Sequence, residues 1–166
     1  VGFTDRQQVT DREAHDEGLV DLWNSQVTPG DVVFHLGDFH FGSVQKSNLT
    51  QSRLRGTIFH VRGNHDRRDD MPWYRETHLH SVRTALCHFP IASWHKQNYG
   101  SYHLHGHCHG NFKNVGRSLD VGLDSAYETF GSHKFFTDKE VHEILSQVPI
   151  VSVDKHREVE EAYAKG

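Results

Sequence analysis

Four short segments place acid, amide and imidazole side chains where apolar runs end: Gly37-Asp38, Gly63-Asn64-His65-Asp66, Cys87-His88-Phe89-Pro90 and Gly106-His107-Cys108-His109. Each is weak alone, because a Gly-Asp after a strand is most often a turn. Together they carry a chemistry. Glycine beside a ligand lets the backbone turn sharply and approach a bound anion closely, so the groups can converge at one sheet edge, where open α/β sheets bind their ligands. A carboxylate has two oxygens and can bridge two cations, an amide adds a neutral oxygen, and imidazole adds a nitrogen. That mixture suits a pair of divalent metals about 3.5 to 4 Å apart, an arrangement that clamps a phosphate and activates water.

The elements that must position these groups are legible in the apolar pattern. Thr10-Asp11-Arg12-Glu13 reads as a capping box, and Ala14, Leu19, Leu22, Trp23 and Val27 follow at helical spacing until Thr28-Pro29-Gly30-Asp31 stops the helix. Residues 32–36 form a short apolar run that delivers Gly37-Asp38. A weakly helical polar stretch, 43–53, leads to a second β-branched run, 57–61, which delivers the Gly63 segment. Further strands are expected at 81–87, 101–105 and 117–121. Thr137-Asp138-Lys139-Glu140 opens a last helix with Val141, Ile144, Leu145 and Val148 on its apolar face, ended by Pro149. The expected domain is 1–148, with 149–166 a charged C-terminal extension.

The order of these segments resembles the calcineurin-like metallophosphoesterase family, whose pattern runs Asp-x-His, Gly-Asp, Gly-Asn-His-Asp/Glu, His and Gly-His-x-His. The resemblance spans residues 11–124, and the Leu-Gly-Asp-Phe and Leu-Cys-His-Phe-Pro contexts are similar to small, uncapped bacterial or phage members. It implies an α/β fold of two facing mixed β-sheets flanked by helices, and metal-dependent phosphoester hydrolysis. It also implies roles. Asp38 would be the bridging carboxylate, Asn64, His88 and His107 would complete one metal site, and His109 would serve the other. His65 would face the phosphoester as general acid, oriented and kept protonated by Asp66, while a bridging hydroxide attacks phosphorus. His40 and Arg67 are the candidates to touch substrate. Two divalent ions are expected, with Mn2+ favoured and Fe, Zn or Ni open, acting as phosphodiesterase or phosphatase on a small phosphodiester or nucleotide-type substrate.

One family motif is missing: residues 1–10 contain no Asp-x-His. The leading expectation is that residues upstream of Val1 supply it. Alternatively Asp154-Lys155-His156, behind the strand-like Ile150-Val151-Ser152-Val153, takes its place, or the protein is a degenerate member that serves as a binding module.

Composition narrows the rest. At 166 residues the chain suits one domain, and its net charge of −4 gives no global attraction to polyanions, so nucleic acid and anionic membrane surfaces are poor expectations as partners. No run approaches the roughly 18 apolar residues of a membrane span. Cys87 and Cys108 are too few for a disulfide scaffold and lack zinc-finger spacing, so buried thiols in a reducing cytoplasm are expected. Of the 16 histidines, His35, His60, His103 and His105 lie in or beside apolar runs and are expected to pack or bond structurally. Arg53, Arg55, Arg62, Arg67 and Arg68 form a local excess that a solvated face mostly explains.

Overall fold

Helix α1, Arg12–Gln26, forms because its buried stripe of Val20 and Trp23 needs a partner layer. Trp23 finds it: the indole N–H donates to the Arg55 carbonyl at 2.9 Å and the ring meets Phe135 edge-on at 5.2 Å. The turn that ends the helix is closed by Asp31, whose carboxylate accepts from the Thr28 backbone N–H and hydroxyl. The protein, seen in a computed structural model, is described over residues 12–151 and at Val153. The first capping box and the Asp154–His156 triplet therefore lie wholly or partly outside the described residues.

Two sheets face one another. The first pairs β1, Val32–His35, with β2, Thr57–His60, in parallel, joined by α2, Val44–Gln51. The second is mixed and runs β3-β4-β5-β6, with β3 (Tyr74–Leu79) antiparallel to β4 (Val82–Cys87). Strands β5 (Tyr102–His105) and β6 (Ser118–Asp120) continue it in parallel. Helices α3, Leu123–Phe130, and α4, Asp138–Ser146, complete the chain order. This is the expected α/β sandwich. All five expected strands are present; β3 and α3 are additional.

The core gathers Leu86, Tyr102 and Leu104 from the second sheet, Val61 from the end of β2, and Val141 and Leu145 from α4. The second capping box is intact: Thr137 accepts from the Glu140 N–H, and the Glu140 carboxylate accepts from the Thr137 N–H. Between the layers lies a cavity of about 1010 Å³, lined by Phe34, Leu36, Leu86, Leu104 and Val141 and reaching Asp38, His88 and His107. Its size is that of an ordinary ligand-binding cleft. Among the described residues β1 and β6 each pair along one edge alone.

Candidate functional site

Four strands end at one place. Strand β1 delivers Asp38, β2 leads into Asn64 and His65, β4 delivers His88, and β5 delivers His107 and His109. The turns are tight enough to bend backbone rules: Asp38, His107 and His109 all have positive φ (57°, 68° and 51°), a conformation that costs a non-glycine residue about 1 kcal/mol or more. Gly37, at φ 97°, has no such cost, and a Cβ there would sit 2.6 Å from both Gly63 N and His88 Nδ1. At Gly63 a Cβ would collide with the Asp38 backbone and carboxylate. Both glycines are required by close approach of the two loops.

His88 is the hub. It is 2% exposed, and its Nδ1 donates to the Leu36 carbonyl at 2.8 Å, so in the neutral ring Nε2 carries a lone pair. Nε2 faces three polar atoms: Asn64 Oδ1 at 2.9 Å, His107 Nδ1 at 3.2 Å and Asp38 Oδ2 at 3.4 Å. One proton cannot serve all of them. Donor atoms bound to a single cation at about 2.1 Å stand roughly 3.0 to 3.4 Å apart, so these separations suit a divalent ion among them. The donor set, one carboxylate, one amide oxygen and two imidazoles, fits manganese, iron, zinc or nickel alike. Among the described residues no group of three or more His, Cys, Asp or Glu side chains is by itself arranged to hold a metal ion. Here the Asn64 amide is one of the donors, and the contacts radiate from a single atom.

The electrostatics agree. Burial opposes ionisation of Asp38, yet hydrogen bonds from His88 and from the His65 backbone N–H outweigh it and hold the carboxyl at about 2. Burial likewise opposes charging His88, and the Asp38 carboxylate and Leu36 carbonyl together raise its pKa. His107 moves down, through desolvation and then the neighbouring His88. The cluster thus favours positive charge at His88 and disfavours it at His107.

The remaining expected residues divide. His109 stands apart from this convergence: its Nδ1 donates to Asp124 Oδ2 at 2.8 Å, which leaves Nε2 as its free donor atom. His65 is anchored through its backbone N–H to Asp38 Oδ1 at 2.9 Å, and its exposed ring lies against Phe41. Asp66 corrects an expectation. It does not hold the His65 ring; its Oδ2 accepts from the backbone N–H groups of Asp38 and Gly63, both at 2.8 Å, and its Oδ1 from Phe39 at 2.9 Å. Two loops with buried amides converge there, and the carboxylate is the acceptor that satisfies them.

His40 folds back so that Nδ1 accepts from the Gly42 N–H at 2.7 Å, a loop-shaping bond. Arg67 is exposed, whereas its neighbour Arg68 is held by Asp70 and Gln51, and Arg62 by Asp69. Of the structural histidines, His103 and His105 are fully buried, and His60 is buried with neither ring nitrogen bonded.

Two residues escaped the sequence reading. Asp124, buried in the first turn of α3, is the partner of His109, and Asp120 accepts from the N–H groups of Gly110 and Gly122. The signal existed: Leu119-Asp120-Val121-Gly122 ends a strand with an acid near a glycine, just as Gly37-Asp38 does.

The calcineurin-like phosphoesterase family matches residues 7–165 of the chain. An uncharacterized protein of Methanocaldococcus jannaschii, MJ1445, is 30% identical over 101 residues, 60% of this chain. The chain spans 56% of that relative's own length. A crystal structure of a protein of unknown function, AQ665 from Aquifex aeolicus, superposes with a TM-score of 0.57 at 17% identity, covering 83% of this chain and 88% of that one, a likeness of fold. Because the family match runs across both sheets and every strand-end loop described above, the chain belongs to the calcineurin-like phosphoesterases.

Proposed function

We propose that the protein hydrolyses small phosphodiester or nucleotide-type esters with divalent metal bound by Asp38, Asn64, His88 and His107, and His109 offered to a second ion. The observation that carries this reading is the meeting of three polar atoms, Asn64 Oδ1, His107 Nδ1 and Asp38 Oδ2, within 3.4 Å of His88 Nε2, an arrangement suited to a cation. When bound, such ions would withdraw charge from the phosphoryl oxygens and lower the pKa of water. Mn2+ is the favoured ion.

The protein's own contribution is positional. Asp38 stays ionised at neutral pH, with its carboxyl held at about 2. His88 is fixed by the Leu36 carbonyl so that Nε2, not Nδ1, faces the site. His65, tethered by its main chain to Asp38 and open to solvent, would donate a ring proton to the departing oxygen. Asp66 would act on the reaction only by holding the Asp38 and Gly63 loops together. Among the described residues no helix is long and apolar enough to cross a membrane.

The test is turnover of bis(p-nitrophenyl) phosphate by protein stripped with chelator and reloaded with Mn2+. Activity that returns with metal, and is lost in His65→Ala with metal content retained, is expected. Fully loaded protein that turns over neither this diester nor p-nitrophenyl phosphate would leave a metal-binding module on the same fold.

A further inference from the structure

We infer that Phe41 is a specificity residue, a platform on which a flat ring of the substrate's leaving alcohol stacks, so that the preferred substrates are aryl or nucleobase-bearing phosphoesters. This rests on the reading of the site as a phosphoester site and names its substrate class.

The Phe41 ring centroid is 5.0 Å from that of His65, with the planes inclined at 44°, and the residue is 47% exposed. A single exposed apolar side chain needs no explanation on its own. Here three further observations apply. The loop carrying Phe41 is fixed on both sides: Asp66 binds the backbone of Asp38 and Phe39 before it, and after it the His40 ring closes on the Gly42 N–H while Ser43 caps α2. An aromatic held this way offers its ring with little conformational entropy to lose.

Its neighbour is the second observation. A general acid must lie beside the leaving oxygen, so whatever that oxygen carries lies beside His65 and therefore beside Phe41. The third is what distinguishes Phe41 from Trp73, another exposed aromatic. Trp73 already carries the Arg62 guanidinium 4.9 Å over its ring, and Phe89 is stacked with it at 6.5 Å and 19°. Phe89 in turn is used edge-on against His88 and His107. Those rings build the wall of the site, whereas among the described residues Phe41 meets one ring partner, His65.

The experiment compares two probes of equal charge and similar size on Mn2+-loaded protein by calorimetry, benzylphosphonate and cyclohexylmethylphosphonate, which differ in having a flat or a puckered ring. The wild-type protein is expected to bind the benzyl compound about five- to tenfold more tightly, the upper part of the range for one aromatic pair. Phe41→Leu keeps the apolar bulk and removes the flat ring; it should bring the two affinities within about twofold by weakening the benzyl compound alone. Equal affinities in the wild type, a preference that survives Phe41→Leu, equal weakening of both probes, or no binding of either would overturn the inference. Turnover of bis(p-nitrophenyl) phosphate is measured in parallel: its absence beside an intact ring preference overturns hydrolysis and leaves the platform standing.

Discussion

Replacing Asp66 separates two roles that the sequence leaves entangled. If the carboxylate is the brace of the Gly37–Asp38 and Gly63 loops, its loss appears in stability, graded by how many amides remain satisfied. Asp66 is 7% exposed, so water replaces it poorly. Its Oδ2 serves two N–H groups and its Oδ1 serves one. In Asp66→Asn the remaining oxygen can take the Oδ2 place and keep Asp38 and Gly63, while the new NH2 confronts the Phe39 N–H. A hydrogen bond to a charged group contributes about 1.5 to 3 kcal/mol, so this variant should lose about that much. Asp66→Ala abandons all three donors and should lose about 4.5 to 9 kcal/mol if the three bonds add, a large share of the 5 to 15 kcal/mol typical of a domain. Urea unfolding measures both, with the Asn variant informative even where the Ala variant fails to fold. The pH–rate profile for bis(p-nitrophenyl) phosphate should keep its wild-type shape in Asp66→Asn. An Asn variant of wild-type stability whose profile moves along the pH axis would refute the brace and return Asp66 to the His65 ring.

Three further outcomes follow from the same geometry. Asp124→Ala removes the acceptor that fixes the His109 tautomer and should weaken Mn2+ binding about 10- to 100-fold by calorimetry with circular dichroism unchanged; unaltered affinity would show that His109 needs no such partner. Asp38→Asn removes the one carboxylate found at the His88 convergence among the described residues, and the purified protein should lose bound metal by mass spectrometry of the native state, whereas full retention would remove Asp38 from the proposed ligand set. His103 sits in a cage built for the neutral ring, its Nδ1 donating to Ala85 O and its Nε2 accepting from the Ile91 N–H, and burial pushes its pKa down to about 4. The unfolded chain takes up that proton near 6.5 and the folded one only near 4, so stability is intact above about pH 7 and declines as pH falls toward 4. The difference is about 2 kcal/mol at pH 5. Wild type should lose about that much more than His103→Gln between about pH 7.5 and 5 in urea titrations, and parallel losses would contradict the cage.

The convergence of strand-end polar residues was legible because the physics that places them is local: an apolar β-branched run must be buried, a glycine must follow where two loops touch, and the polar residue beyond it has nowhere to go but the sheet edge. The same locality explains what was not legible. Strand β3 carries Arg75, Glu76, Thr77 and His78, with no apolar alternation, and it exists because β4 pairs with it through a two-residue turn at His80 and Ser81, both at positive φ, where Asn-Gly would have announced a hairpin. Helix α3 has a glycine N-cap with no side-chain bond and only eight residues, so tertiary contact rather than a start signal places it. Asp66 shows the limit most plainly. Beside His65 in sequence, it reads as that residue's partner, but Asn64 and His65 are exposed while Asp66 is buried. The backbone therefore turns the acid inward as it turns the Asn64 and His65 side chains out. The amides of Asp38, Phe39 and Gly63 then need an acceptor, and among the described residues no other carboxylate bonds them. The Gly-Asn-His-Asp run is thus one device with two faces, and the inner face is what keeps the outer one in register with Asp38.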